Sequence, residues 1–421
     1  MATKRTFTSR SREKLARLAP PPGVQPSLVV QTFTYSVGTG FYAAGSAIFF
    51  TVYAGLPAGQ IALGVTASAF AVFVLRIPVG LLCDRLGGRA TWRLGALLQG
   101  VLFSIYPFVH GFASFLIVII AAGIAATVGN AGKGRYIGEV IARQSRVRVN
   151  AYLRSIVNIG LALGTVSVGA LTQVSSPRIL VVIVLMNALT FYLDVLFLTI
   201  FIKPAPRRTE AGKKTPGRRS ALADRPFVAL SALSGVFILS DLLLTTVIPL
   251  WILQATQIQQ TMIPIILILN MAMVIVLQAR VGKGVETISD SARRQRRAGI
   301  LLAVSCALIP ISSHTAGVWT WMVILGAVAI ITQAEMYTAV SGWGLSYGLS
   351  PQERLGEYLG VFASGSQIAL IVGPAVLIPL VTATPLGWYV LSALFLVAGL
   401  TSVHLVDVVV RSRSKFGVQP E

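Results

Sequence analysis

The chain has 421 residues, 55% of them hydrophobic and only 12% charged, with a formal net charge of +21. An ordinary soluble globule carries about 25% charged residues, so that class is excluded. The bases are also sorted into a few stretches between apolar runs, which argues against a nucleic-acid surface and for a chain that crosses a bilayer many times.

The N-terminal stretch 1–28 is basic and proline-rich, with Pro20, Pro21 and Pro22. It lacks a short apolar core followed by a small-residue cleavage site, so it reads as a retained cytoplasmic tail. Twelve apolar segments follow, each near the ~20 residues a membrane helix needs. They cover 29–55, 60–82, 91–109, 113–133, 149–172, 179–202, 227–253, 261–280, 298–312, 316–340, 357–383 and 385–409. The ninth is short unless Arg296 and Arg297 snorkel at its start. Residues 203–226 form the one long polar stretch inside the chain, with Pro204, Pro206, Pro216 and many bases, and read as a cytoplasmic linker. It divides a six-helix bundle, 29–202, from a second, 227–410, and residues 411–421 form a C-terminal tail.

All the Lys and Arg residues except Arg76 and Arg178 fall in alternate gaps or tails, or, like Arg93, Lys133, Arg154 and Arg280, in the segment ends that border those gaps. That alternation places both termini on the cytoplasmic side of a cell membrane. The fold class expected is all-α and polytopic, with twelve transmembrane helices in two pseudo-symmetric six-helix bundles. Weak repetition supports the duplication: Arg148, Tyr152 and Leu153 recur 206 positions later as Arg354, Tyr358 and Leu359. Pro107 and His110 similarly precede a helix as Pro310 and His314 do. Transporter folds are often built from such repeats, with the substrate site between them. Cys83 and Cys306 imply no disulfide framework.

Between the second and third segments the chain reads Gly80-Leu-Leu-Cys-Asp84-Arg85-Leu-Gly87-Gly88-Arg89. The turn is short enough to need glycine freedom at Gly87 and Gly88. Gly80 permits close helix approach, and Asp84 can meet the positive N-terminus of a neighbouring helix. The stretch resembles the loop signature of the major facilitator superfamily, with Gly88 replacing one basic residue. The resemblance covers nearly the whole chain. It implies that Asp84 meets the eleventh helix near Gly356, and that Asp84, Arg89 and Glu139 form a charge relay latching the cytoplasmic side. Glu357, Tyr358, Gly360 and Gly373-Pro374 look like the family's second-half pattern. Two positions depart from its drug/proton antiporters. Ala121-Ala122-Gly123 stands where they carry a fourth-helix Arg, and Thr165 stands where they carry a fifth-helix Pro.

Ionisable residues deep in the apolar segments are Arg76, Asp194, Asp241 and Glu335. A central charge costs at least about 2.5–3.5 kcal/mol on insertion scales, so each needs a partner or a function. Asp241, in a segment that lines the family's cavity, and Glu335, beside Gln333 and Tyr337, are the expected proton-coupling acids. Arg76 and Asp194 are expected to be structural. Tyr35, Thr39, Tyr42, Asn130, Asn158, Asn270 and Gln367 are the expected polar cavity lining. Trp319 and Trp321 read as an interfacial belt, and His110 and His314 as solvated loop residues. No phosphate-binding loop or Cys/His metal spacing occurs, and no metal or cofactor is expected, nor an enzyme. The expected function is secondary transport by alternating access: proton-coupled export of a small amphiphilic or drug-like compound by a monomer in the lipid bilayer. Uptake of a metabolite by symport or uniport, and a non-transporting sensor on the same fold, are the alternatives.

Overall fold

The computed structural model describes residues 20–21, 24–171, 178–204, 220–256 and 261–412. Most of the expected tails, and residues 205–219 of the expected linker, lie outside the described residues. The rest is helical. In chain order the long helices are α1 Pro26–Ile48, α2 Ala58–Leu86, α3 Gly88–Ile105, α4 Phe112–Val140, α5 Arg146–Leu171 and α6 Arg178–Ile200. The second set is α7 Arg225–Ala255, α8 Met262–Val281, α9 Ile288–His314, α10 Val318–Gly348, α11 Leu355–Ala383 and α12 Leu386–Ser412. These twelve match the expected segments in order and number.

Ten of them are long and apolar enough to cross a membrane. The other two, α1 and α3, show why composition alone undercounts. The shorter, α3, carries Arg89 and Arg93 in its first turns, and α1 carries Thr34, Thr39 and the buried Gln31, Thr32 and Ser36. Several helices run past their apolar limits. The ninth begins a full stretch earlier than expected, at Thr287, whose hydroxyl accepts from Asp290 N–H while Asp290 returns a bond to Thr287 N–H. This reciprocal cap starts a helix in polar surroundings. Helix α7 starts the same way, with Asp224 accepting from Phe227 N–H at 3.3 Å and Pro226 in the first turn. Extension of α4 to Val140 turns Lys133, Arg135 and Glu139, expected at or beyond its end, into helical residues.

Helices α1–α6 pack around one core, containing Phe41, Phe49, Phe103, Tyr106, Phe115, Ile183 and Phe191. Helices α7–α12 pack around another, containing Phe237, Trp251, Ile331, Trp388 and Phe395. A third cluster joins the halves, with Trp92, Tyr136 and Ile137 of the first against Tyr347 and Leu355 of the second. The duplication is visible in detail. The 3-10 turn Tyr106–Phe108 after α3 has its counterpart in the 3-10 turn within α9, Ile309–His314. Helix α1 runs into a π turn, Phe49–Tyr53, and α7 contains one at Leu243–Val247. The end of the molecule holding Leu86, Val140, Gly348 and Ser412 is called the basic end below.

Candidate functional site

At the basic end, one residue joins α2 to α3. Gly87 has φ 83° and ψ 157°, a conformation that disfavours a side chain. Just before this turn, Gly80 packs on α11 so tightly that a Cβ would meet the carbonyl oxygen of Gly356. That approach brings Asp84 onto the N-terminus of α11. Gly356 N–H donates to its Oδ1 at 2.7 Å and Glu357 N–H to its Oδ2 at 2.9 Å. The residue preceding α11 in the chain, Arg354, offers no cap of its own. A carboxylate from the first half therefore satisfies amides that helix geometry leaves unpaired in the second.

The partner of Asp84 is Arg135, not Arg89. Arg135 also holds Glu139 at 2.6 Å, and Gly88 N–H donates to Glu139 at 3.4 Å. Arg89 points the other way. Its Nε donates to Leu198 O at 2.8 Å and its Nη2 to Thr199 O at 3.0 Å, so it binds the C-terminal carbonyls of α6. The expected relay Asp84–Arg89–Glu139 is therefore corrected to Asp84–Arg135–Glu139. A base two positions past Gly87 lies on the far side of α3 from α4. Arg85 is exposed.

Around this latch the halves are joined again. Tyr347 O–H donates to Gly134 O at 2.8 Å and Arg143 to Gly348 O at 2.5 Å. Inside Glu357, 2% exposed, Oε1 accepts from Ala221 N–H at 2.8 Å, which ties the far end of the linker to the start of α11.

Deeper, Arg76 sits ten residues before the end of α2, roughly 15 Å along the helix. Its guanidinium donates to Ala363 O at 3.2 Å and to Gln367 Oε1 at 2.9 Å, both on α11. It is thus a bridge between halves, and Gln367 is its partner. Opposite it, Arg154 of α5 donates to Glu335 of α10 at 2.8 Å, and Asn270 of α8 donates to the second oxygen of Glu335 at 2.9 Å. Asn270 also reaches Thr332 at 3.1 Å. Asp241 is exposed although it lies in mid-helix, and it is within electrostatic range of both Glu335 and Arg154. Its exposure is therefore to the space between the halves. Asn158 bonds the carbonyl of Arg154 one turn back at 2.9 Å, and Asn130 is exposed on α4.

The structure brings Asp241, Glu335 and Asn270 together, with Gln367 on the facing helix pair. It sets others apart. Tyr42 packs edge-on against Phe103, with its hydroxyl 3.4 Å from that of Tyr106, and Tyr35 packs against Phe191. Both lie inside the first half. Thr39 bonds Tyr35 O within its own helix, and Tyr337 faces Arg294 of α9. Gln333 is partly buried one turn from Tyr337. Trp319 is exposed at the start of α10, at the end opposite the bases, and His110 and His314 are exposed at that end as well. Three bases escaped the sequence reading. Lys133, Arg135 and Arg154 were assigned to a gap, and each is a helical residue with a polar partner inside the molecule.

Two six-helix halves, latched at one end and sharing a charged cluster between them, define the class of secondary transporters. The chain belongs to the Major Facilitator Superfamily, whose family model matches residues 28–374. An uncharacterised MFS-type transporter of Methanocaldococcus jannaschii is 30% identical over 137 residues, which span 32% of this chain and 35% of that protein. Among solved structures, a bacterial homologue of the iron transporter ferroportin in its outward-facing state superposes with a TM-score of 0.68 at 15% identity, over 91% of this chain and 98% of that one. The proton:xylose symporter XylE gives 0.69 at 13% identity, over 90% and 95%. The human organic anion transporter MFSD10 gives 0.61 at 17% identity, over 91% and 100%. At these identities the likeness is one of fold.

Proposed function

We propose that this protein is a proton-coupled exporter of a small amphiphilic or drug-like compound, working by alternating access at a cell membrane with its basic end in the cytoplasm. The observation that carries the reading is the Arg154–Glu335 contact, a charge pair that spans the two halves at mid-depth. A proton on Glu335 cancels the charge that holds Arg154, so proton binding and separation of the halves are linked. Asp241, exposed to the same space, is the acid at which an incoming proton displaces a cationic substrate. Protons enter from the side away from the latch, and they leave when the Asp84 latch opens and the other side closes.

The test is transport in proteoliposomes under an imposed pH gradient, with a panel of cationic, neutral and anionic amphiphiles and sugars. Wild type is expected to move a cationic amphiphile against the proton gradient. Asp241→Asn and Glu335→Gln are expected to keep exchange of substrate but lose its dependence on the gradient. Uptake of substrate with protons, or transport indifferent to pH, would replace this reading with symport or uniport. Unimpaired coupling in both variants would remove these two acids from it.

A further inference from the structure

A second ionisable cluster lies wholly inside the first half, away from the Arg154–Glu335 pair. Asp194 of α6 is 3% exposed and Gln31 of α1 is 1% exposed. Asp194 Oδ1 and Gln31 Nε2 are both buried without a well-formed hydrogen bond, although Gln31 and Trp92 face the carboxylate as side-chain donors. Lys133 of α4 reaches into the same interior. Its ammonium donates to Thr32 Oγ1 at 3.1 Å and lies over two rings, 5.3 Å from the centre of Trp92 and 5.7 Å from that of Tyr35. Lys133 and Asp194 are within electrostatic range of each other. The other groups facing the carboxylate are Trp92 of α3 and Tyr35 of α1. Arg89 of α3 is committed to carbonyls one turn further along α6, and Arg93 is exposed.

A charge pair kept only for packing would close into a direct, fully bonded contact, because an unmet buried polar atom is costly. Here the ammonium bonds a hydroxyl and two ring faces, and one carboxylate oxygen is left over. Lys133 is half-buried, so the cluster is not fully sealed at that residue. The ligand such an arrangement takes must be small and positive. A metal cation would face the ammonium as a like charge, whereas a proton neutralises the carboxylate in place and leaves Lys133 on its ring faces. We propose that Asp194 is a second exchangeable-proton site, reached past Lys133 and independent of Asp241 and Glu335. Helix α4 also carries Arg135, so the occupancy of this site bears on the helix that holds the Asp84 latch.

Infrared difference spectra of the full chain in lipid, recorded across a pH series, test this without a substrate, because a protonated carboxyl has its own carbonyl band. The expected result is a pH-dependent band that disappears in Asp194→Asn and moves in frequency in Asp194→Glu. Its midpoint is expected to shift by at least about one pH unit in Lys133→Met, the size of effect a nearby charge exerts. Asp241→Asn and Glu335→Gln should remove their own bands and leave this one, whatever becomes of transport. Identical spectra for wild type and both Asp194 variants would overturn the proposal. So would a band at Asp194 that ignores pH, a midpoint unmoved in Lys133→Met, or a response to sodium at constant pH.

Discussion

The carboxylate of Asp84 lies 2.7 Å from the backbone nitrogen of Gly356 and so caps a helix of the opposite half. Its Oδ2 accepts from Glu357 N–H in the same way. A cap usually belongs to the helix it stabilises. Here it belongs to the other half, so the stability of α11's first turn depends on the halves being together at this end.

Asp84→Asn keeps the shape but offers one accepting oxygen and no charge to Arg135. Hydrogen bonds to charged groups are worth about 1.5–3 kcal/mol each, so the closed basic end should lose roughly tenfold or more in population. Spin labels on Leu86→Cys and Glu353→Cys report it, because both native cysteines, Cys83 and Cys306, are buried. Pulsed distance measurements should show longer separations in the variant. An unchanged distribution would mean that the cap holds nothing.

Gly80 and Gly164 are both glycines at close helix crossings, but the consequences of filling them differ. Gly80 meets Gly356 between halves, whereas Gly164 meets Val37 and Gly40 within the first half. Gly164→Val should lower thermal stability by about 1–3 kcal/mol equivalent through overpacking. Gly80→Val should leave each half folded and lengthen the Leu86–Glu353 label distance. Equal losses of melting temperature in both would count against separable halves.

The Arg154–Glu335 contact makes a double-mutant cycle informative. Arg154→Met leaves a carboxylate with Asn270 alone, and Glu335→Gln leaves a guanidinium facing an amide. The losses in the two single variants should sum to more than the loss in the double variant, the difference being an interaction energy of about 0.5–3 kcal/mol. Melting curves in detergent at neutral pH measure it. Additive effects would show that the two side chains do not act as a pair.

Arg89→Ala separates the position of a residue from its motif. Because Arg89 binds the carbonyls of Leu198 and Thr199, the variant should loosen α3 against α6 and lower the melting temperature. The Leu86–Glu353 distance should stay as in wild type. A shift in that distance would restore Arg89 to the latch.

The features readable from the sequence have strong, local signatures. Long apolar runs, alternating basic gaps and the Gly80–Arg89 stretch led to twelve helices, to two halves and to Asp84 at the start of α11. The two misplaced bases of α4, Lys133 and Arg135, share one cause. A count of positive charges by gap assigns any base near a helix end to the loop, and α4 continues to Val140 in polar surroundings where hydropathy has already fallen. One signal was available, since Arg135 and Glu139 are four apart, the spacing of an ion pair on one helix face. The partner of Arg154 was not readable, since it comes from the other half. The packing of Tyr35 and Tyr42 against Phe191 and Phe103 was unreadable for a different reason. Helix α1 has polar or small residues all round, so no periodicity marks which face looks inward, and both half-buried rings pack against the first half's core.

The paired π turns, Phe49–Tyr53 in α1 and Leu243–Val247 in α7, each hold one residue more than an α-helical turn would. If either rewound to regular helix, every residue beyond it would advance about 1.5 Å along the axis and swing by about 100°. Both turns lie toward the end opposite the latch, one in each half. The chain thus stores a one-residue slip in register at matching places, so the far mouth can change its lining by winding alone, with no loop lengthened and no helix tilted.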